Sequence, residues 1–263
     1  MTFSAKSIIS NLFIRFGYQI RRNPDHTIEA ELTPVENCLL LLLGMHESIN
    51  ILQVGANDGY INDPLFRFAR KFPSRTRMIL VEPQKYLTAI LEKNYHFHQA
   101  KEILNVAVGC RGPLTLYAIK EVAWQDLSVP YADGWPAYRA PTGVTSTDID
   151  HVMRWLSKHY RGRLPFNDII ESFTVDAVNL DTLLSQSTLF KRMDVLQIDA
   201  EGYDDQVIYS SNISKTRPFI INFEIMHLSA DRLNHLKEFL WKCGYTLSMH
   251  GPDCLAISTE LRI

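Results

Sequence analysis

Four ionisable side chains stand just beyond two short apolar runs: Asp199 and Glu201 follow residues 195–198, and Glu224 and His227 follow residues 219–223. If those runs are neighbouring strands of one parallel sheet, their carboxyl ends bring four proton-binding groups together, where open α/β sheets bind ligands. Glu224 lies inside Ile220-Ile221-Asn222-Phe223-Glu224-Ile225-Met226, an apolar setting in which an acid needs a partner or a proton. Such perturbed acids are candidates for catalysis. A carboxylate or imidazole in this place, Asp199, Glu201 or His227, can take the proton of a reacting hydroxyl. Alternatively Asp199 and Glu224 hold Mg²⁺ through oxygen ligands, and the ion raises the hydroxyl's acidity. The plainer readings are that Asp199 and Glu201 cap the next helix and that His227 is a turn residue.

A second group lies near the start of the same pattern. Val54-Gly55-Ala56-Asn57-Asp58-Gly59 follows an apolar run and opens a helix, and its glycines allow a tight turn and close approach of a ligand. The turn is not Gly-x-Gly-x-x-Gly, and Asp58 falls where the pyrophosphate of a dinucleotide would meet the helix N-terminus. An acid there repels pyrophosphate and suits a cation. Glu82 ends the next apolar run, 23 residues after Gly59, at the position that grips ribose hydroxyls. Together the two acids describe a nucleoside with a positive group and no diphosphate. S-adenosylmethionine fits that description better than NAD or FAD.

These residues need a scaffold. From residue 50 onward short β-type runs alternate with helical segments, the pattern of an α/β fold with a mainly parallel sheet. Residues 50–54, 78–81, 103–108, 195–198 and 219–223 are nearly continuous apolar runs, as expected when helices cover both faces. Residues 245–249 and 254–258 flank His250-Gly251-Pro252-Asp253 and read as an antiparallel hairpin at the sheet edge. The connection over 109–193 is too long for one crossover. It holds two added strands, 114–119 and 173–178, a helix over 148–159, and a segment, 124–141, in which Trp124, Tyr131, Trp135 and Tyr138 lie among prolines and a glycine. That segment reads either as a substrate-binding flap or as surface elaboration.

Upstream, Thr33-Pro34-Val35-Glu36 has the order of a helix start: Thr as cap, Pro first and Glu third. Ile8, Ile9, Leu12, Phe13 and Phe16 fall on one helical face beside basic residues. That face suits packing on the domain, a lid, a contact between copies of the chain, or a peripheral membrane contact. In Tyr95-His96-Phe97-His98 the two histidines alternate, no third ligand has suitable spacing, and both read as surface residues.

In these stretches the chain resembles the FkbM-type methyltransferases, within the Rossmann-like class that uses S-adenosylmethionine. The resemblance rests on the glycine turn with Asp63-Pro64-Leu65, then Val81-Glu82-Pro83, Asn105-Val106-Ala107-Val108, Leu183-Leu184, Asp194-Val195-Leu196-Gln197-Ile198-Asp199-Ala200-Glu201-Gly202-Tyr203-Asp204 and Ile221-Asn222-Phe223-Glu224. It implies a class I methyltransferase fold in a single domain over 1–263, with 1–45 as a helical extension. Under it, Gly55, Asn57, Asp58 and Gly59 hold the methionine half of the donor and Glu82 the ribose. Asn105 through Ala107 meet the adenine, and Asp199 lies where donor and reaction centre join. It further implies O-methylation of a sugar or other natural product, with a small molecule or glycan as acceptor. N-methylation of a small amine and a silent nucleoside-binding module remain alternatives. Residues 1–45 and 124–141 have no counterpart in the resemblance, so it does not carry the acceptor's identity.

Composition bounds the rest. The 263 residues are 46% hydrophobic and 21% charged, ordinary for a globular domain. A net charge of -2 supplies no field for a nucleic-acid backbone, and none is expected as partner. Cys38, Cys110, Cys243 and Cys254 are scattered without metal spacing, which reads as reduced thiols in the cytoplasm. The longest apolar run, 38–43, is far short of the ~20 residues of a membrane span. A homo-oligomer stays open.

Overall fold

The computed structural model describes residues 32–261. It opens with α1 (Pro34–Met45), and the expected capping box is formed: the Glu36 N–H donates to Thr33 Oγ1 at 3.2 Å and the Thr33 N–H to Glu36 Oε2 at 2.9 Å. The Arg67 guanidinium also donates to the buried Glu36 carboxylate, giving it the charged partner that burial demands. The helix expected over the apolar positions between Ile8 and Phe16, with the contacts it would make, lies outside the described residues.

The first half-sheet consists of β1 (Ile49–Val54), α2 (Phe66–Lys71), β2 (Thr76–Val81), α3 (Lys85–Asn94) and β3 (Lys101–Leu104). The long connection contains β4 (Ala107–Val108), β5 (Gly112–Ile119), α4 (Arg139–Thr142), α5 (Ile149–His159), α6 (Phe166–Ile169), β6 (Ile170–Val178) and α7 (Leu180–Gln186). Then follow β7 (Val195–Ile198), α8 (Asp204–Ser210), α9 (Ile213–Thr216), β8 (Ile220–Glu224), α10 (Ala230–Lys242), β9 (Tyr245–His250) and β10 (Asp253–Ser258).

Seven strands form the main sheet in the order β3-β2-β1-β7-β8-β10-β9. All neighbours are parallel except β10, which runs antiparallel to both β8 and β9. This is the Rossmann-like α/β fold with a C-terminal antiparallel hairpin that the sequence implies. The central strands are buried on both faces: Leu52, Val54, Ile79 and Val81 pack into one apolar layer, and Ile51, Met78 and Leu80 into the other. Strand order reverses between β1 and β7, and such a switch point opens a crevice beyond the carboxyl ends. Register decides what lies there. Val54 pairs with Val81 and with Ile198, and Ile198 pairs with Phe223. The next residue on each strand therefore falls in one row: Glu82, Gly55, Asp199, Glu224.

Two expectations need correction. Residues 103–108 are not one strand, because β3 ends at Leu104 in the main sheet while β4 pairs with β6 in a second, three-stranded sheet of order β4-β6-β5. The cause is Asn105, whose side-chain amide donates to the carbonyls of Glu82 and Pro83 at 2.9 Å each. It satisfies the end of β2 in place of a continuing strand and sends the chain out of the sheet. His96 is exposed as expected, but His98 is fully buried, its Nε2 2.8 Å from Thr76 Oγ1. Burial pushes its pKa down to about 4, so it is a neutral hydrogen-bonded core residue.

The second sheet is built mainly from the long connection. β5 and β6 pair antiparallel from Gly112 opposite Ala177 to Ile119 opposite Ile170. Against them packs α5, whose N-cap Asp148 accepts from the Asp150 N–H at 2.9 Å. Its Val152 and Leu156 are buried with Ile119 and Ile169, and this packing fixes the neighbouring His151. No helix among the described residues is long and apolar enough to cross a membrane.

Candidate active site

Beyond the row of strand ends runs a narrow cleft, polar where Gly55, Asn57, Glu82 and Asp199 line it and apolar where Val106, Val108, Leu114 and Leu116 do. Glu82 organises the polar end. Its Oε2 accepts from the Asn57 N–H and its Oε1 from the Gln84 N–H, both at 2.8 Å, so one carboxylate ties the glycine turn to the end of β2. Gln84 in turn donates to the Thr142 carbonyl at 3.1 Å and accepts from Thr145 Oγ1 at 3.0 Å. That pair pins α4 and the loop after it over the cleft.

At Asp199 and Glu201 the cleft joins a wider cavity of about 780 Å³. Tyr131, Trp135 and Trp155 give this cavity an aromatic wall, and His151, Glu201, Glu224 and His227 a proton-binding one. Nε2 of His151 and Nε2 of His227 each lie 3.4 Å from Glu201 Oε2, and His227 Nε2 lies 3.6 Å from Glu224 Oε2. The imidazoles meet edge to face with centroids 4.4 Å apart. Glu201 has φ +48°, a left-handed conformation that costs a non-glycine residue roughly 1–2 kcal/mol. Its carbonyl accepts from Ser146 Oγ at 2.8 Å, which helps hold the strained turn.

Charge is unbalanced here. Burial pushes Asp199 up to about 6, Asp204 to about 7, Glu82 to about 7 and Glu224 to about 9; for Asp204 and Glu224 the nearby carboxylates add to it. Glu201 is raised for the same reasons. His227 is pushed down to about 4 by burial and by His151 beside it. Burial thus favours the protonated form of Glu201 and Glu224 and the neutral form of His227. A stability consequence follows with a definite sign. These acids are raised above their unfolded values near 4, so the folded state keeps protons that the unfolded state has released, and stability is lost as pH rises through the folded values. The depressed histidines, His98, His151 and His227, act oppositely but only below about pH 6.5. Ligand-free protein is therefore expected to melt at progressively lower temperature between pH 6.5 and 9. Thermal scans across that range check this, and a flat or rising melting temperature would contradict it.

The structure brings Asp199, Glu201, Glu224 and His227 to the same junction, and Gly55, Asn57, Glu82 and Ala107 to the cleft wall. It does not bring Asp58, Gly59 or Asn105 to either cavity wall. Asp58 is buried, and its oxygens accept from the Tyr60 and Ile61 N–H groups at 3.0 Å each and from the Tyr138 hydroxyl at 3.2 Å. Gly59 lets the turn pack on Leu91 and Tyr95, which any Cβ there would strike. Beside the Asp199 and Glu224 pair read as Mg²⁺ ligands, the site offers a set of three. Among the described residues the set whose ligand atoms all lie within 4.8 Å of one another is His151, Glu201 and His227, because the turn after β7 aims Glu201 at the two imidazoles.

Sequence reasoning missed His151 and Arg139. Arg139 lines both cavities and lies 3.5 Å from Asp58. Its one signal was its place in the aromatic segment, of which Tyr131 and Trp135 indeed line the wide cavity while Trp124 packs elsewhere, on Tyr86.

Comparison with known proteins shows the family. The family model of the methyltransferase FkbM domain matches residues 53–247. No curated protein matches the sequence significantly. Similar solved structures include a methyltransferase FkbM from Methylobacillus flagellatus, at 15% identity and TM-score 0.45, over 80% of this chain and 44% of that one. This chain thus spans less than half of that protein's length. A precorrin-6y C5,15-methyltransferase from Geobacter metallireducens is similar at 11% identity and TM-score 0.39, over 91% and 98%. A fibrillarin pre-rRNA processing protein from Methanococcus jannaschii is similar at 7% identity and TM-score 0.41, over 86% and 75%. The family match takes in every residue lining the two cavities, and the chain belongs to the FkbM methyltransferase family, a class that uses S-adenosylmethionine.

Proposed function

We propose that the protein moves the methyl group of S-adenosylmethionine to a hydroxyl of a sugar or a sugar-bearing small molecule. The observation that carries this reading is the junction: a cleft polar at one end and apolar at the other opens, at Asp199 and Glu201, into a cavity aromatic on one side and proton-accepting on the other. The apolar end of the cleft suits adenine, Glu82 the ribose hydroxyls, and Asp199 the sulfonium. Flat faces of Trp135 and Trp155 suit the C–H faces of a sugar ring. Tyr131 steadies them, accepting from Trp155 Nε1 at 3.0 Å and meeting Trp135 edge-on. Arg154 and Lys158 on the same wall suit an acidic substituent.

The sulfonium already activates its methyl, so the protein's chief task is to hold acceptor oxygen and methyl carbon in line. A hydroxyl also needs somewhere to send its proton. Glu224 is placed to take it, since its buried Oε2 has no hydrogen-bond partner. Protonated before donor binds, it gives up its proton once the sulfonium's fixed charge arrives, because an opposite charge favours the ionised form.

The test begins with calorimetry of S-adenosylhomocysteine, which should bind, and continues with mass spectrometry of a panel of sugars, glycosides and amines. Methylated hydroxyls support the reading; methylated amines alone, or binding without any transfer, overturn it. Glu82→Gln is expected to weaken S-adenosylhomocysteine binding about 10- to 100-fold, since it removes charged hydrogen bonds worth roughly 1.5–3 kcal/mol. Unchanged affinity in that variant would remove Glu82 from the donor site.

A further inference from the structure

We propose that His151, Glu201 and His227 form a site for one divalent transition-metal ion, open toward the wide cavity, where the ion meets the acceptor's oxygen. Three separate parts of the fold supply the donors: α5, the turn after β7 and the loop after β8. Both imidazole Nε2 atoms lie 3.4 Å from the same Glu201 oxygen. For metal–ligand bonds of about 2.1 Å a tetrahedral arrangement sets neighbouring ligands roughly 3.4 Å apart, which is the spacing of each imidazole nitrogen from the Glu201 oxygen, and all three ligand atoms lie within 4.8 Å of one another.

His151 gives an independent observation. Its side chain is only 8% exposed, yet Nε2 makes no hydrogen bond although an oxygen stands 3.4 Å away. A buried polar atom in that state is costly, and a shared cation would satisfy it together with both partners. The rings meet edge to face rather than stacked, which lets their nitrogens converge on one point. Glu201 is kept in its left-handed conformation although an ordinary turn would cost less.

The donor set selects the ion. Two imidazoles and one carboxylate with open positions suit Zn²⁺, Co²⁺, Fe²⁺ and their neighbours, whereas Mg²⁺ and Ca²⁺ take oxygen ligands. The open positions face the cavity that also holds Asp199 and Glu224. On the acceptor reading above, an acceptor hydroxyl reaches the ion, which raises its acidity, and its proton passes to Glu224. The methyl C–S bond breaks with its electron pair left on sulfur, giving the neutral thioether, as the C–O bond forms. The site itself does not depend on that reading.

The experiment uses the full chain, free of any histidine tag and stripped with chelator, titrated with Co²⁺ while visible d–d absorption is followed. Saturation at one ion per chain is expected, with displacement by Zn²⁺ and none by excess Mg²⁺. His151→Gln and His227→Gln should each weaken Co²⁺ binding at least tenfold, roughly the least that loss of a ligand costs when outer partners alone cost 10- to 100-fold. No absorption band, or equal Co²⁺ affinity in wild type and both variants, overturns the site. Should circular dichroism show His151→Gln unfolded, His227→Gln, on a partly exposed loop residue, decides alone. Co²⁺ bound without methylation of any hydroxyl leaves the site standing and sinks the acceptor reading. Hydroxyl methylation in a protein that binds no Co²⁺ does the reverse.

Discussion

Replacing Glu224 with glutamine is expected to lower turnover about 100- to 1000-fold, the usual contribution of a positioned proton acceptor, while S-adenosylhomocysteine affinity changes less than about threefold. The amide keeps the shape of the side chain but cannot take a proton. Glu224 does not line the cleft proposed for the donor and faces the wide cavity, so on that reading the donor loses no contact. Stability supplies the control. The resting carboxyl is pushed up to about 9, which makes the wild-type group already neutral at pH 7.5, and the variant should melt no lower there. A protein that folds as well, binds donor as well and fails to turn over points to the reacting hydroxyl. Single-turnover rates and calorimetry on the same preparations measure both quantities. Equal, small losses in Glu224→Gln and Glu82→Gln would place neither residue as assigned.

What could be read ahead of the structure was whatever a short stretch of chain decides for itself. Apolar runs bounded by turns located β1, β2, β7 and β8, and an acid stranded in the run 219–226 singled out Glu224, because burying a carboxylate among Ile221, Phe223 and Ile225 is costly wherever the strand lies. The capping box at Thr33 depends on four residues and formed as read. His151 was invisible for the opposite reason. It reaches Glu201 and His227 only through the packing of α5 on the second sheet, and no spacing along the chain encodes that. Asn105 illustrates the middle case. An apolar run through 103–108 looks continuous, and only the carbonyls left open at Glu82 and Pro83 show why an asparagine there ends one strand and begins another. His98, alternating with His96, was misplaced because strict alternation presumes a strand, whereas His98 follows a helix end and turns inward onto Thr76.

Gly55→Ala is expected to cost roughly 2–5 kcal/mol of folding stability, the sum of a backbone penalty and a collision. Gly55 has φ +78°, a region that costs a non-glycine residue about 1–2 kcal/mol. A Cβ there would lie 1.8 Å from the backbone oxygen of Asp199. That oxygen belongs to the chain leaving β7, whose N–H at the same residue donates to the Val54 carbonyl at 3.0 Å, so it cannot swing aside as a side-chain tip could. Relief requires moving β1 from β7 at the centre of the sheet, an overpacking that adds roughly 1–3 kcal/mol. Gly251→Ala separates the two contributions, since Gly251 has φ +59° and nothing lies within 4 Å of the place its new methyl group would take. It should lose only the backbone share. Urea unfolding of both variants gives the comparison, and a Gly55→Ala protein within about 1 kcal/mol of Gly251→Ala would mean that the two strand ends yield. Gly55 and Asp199 also line the polar end of the cleft proposed for the donor, so whatever Gly55→Ala protein folds should also bind S-adenosylhomocysteine poorly, while Gly251→Ala, on the far hairpin, binds it normally.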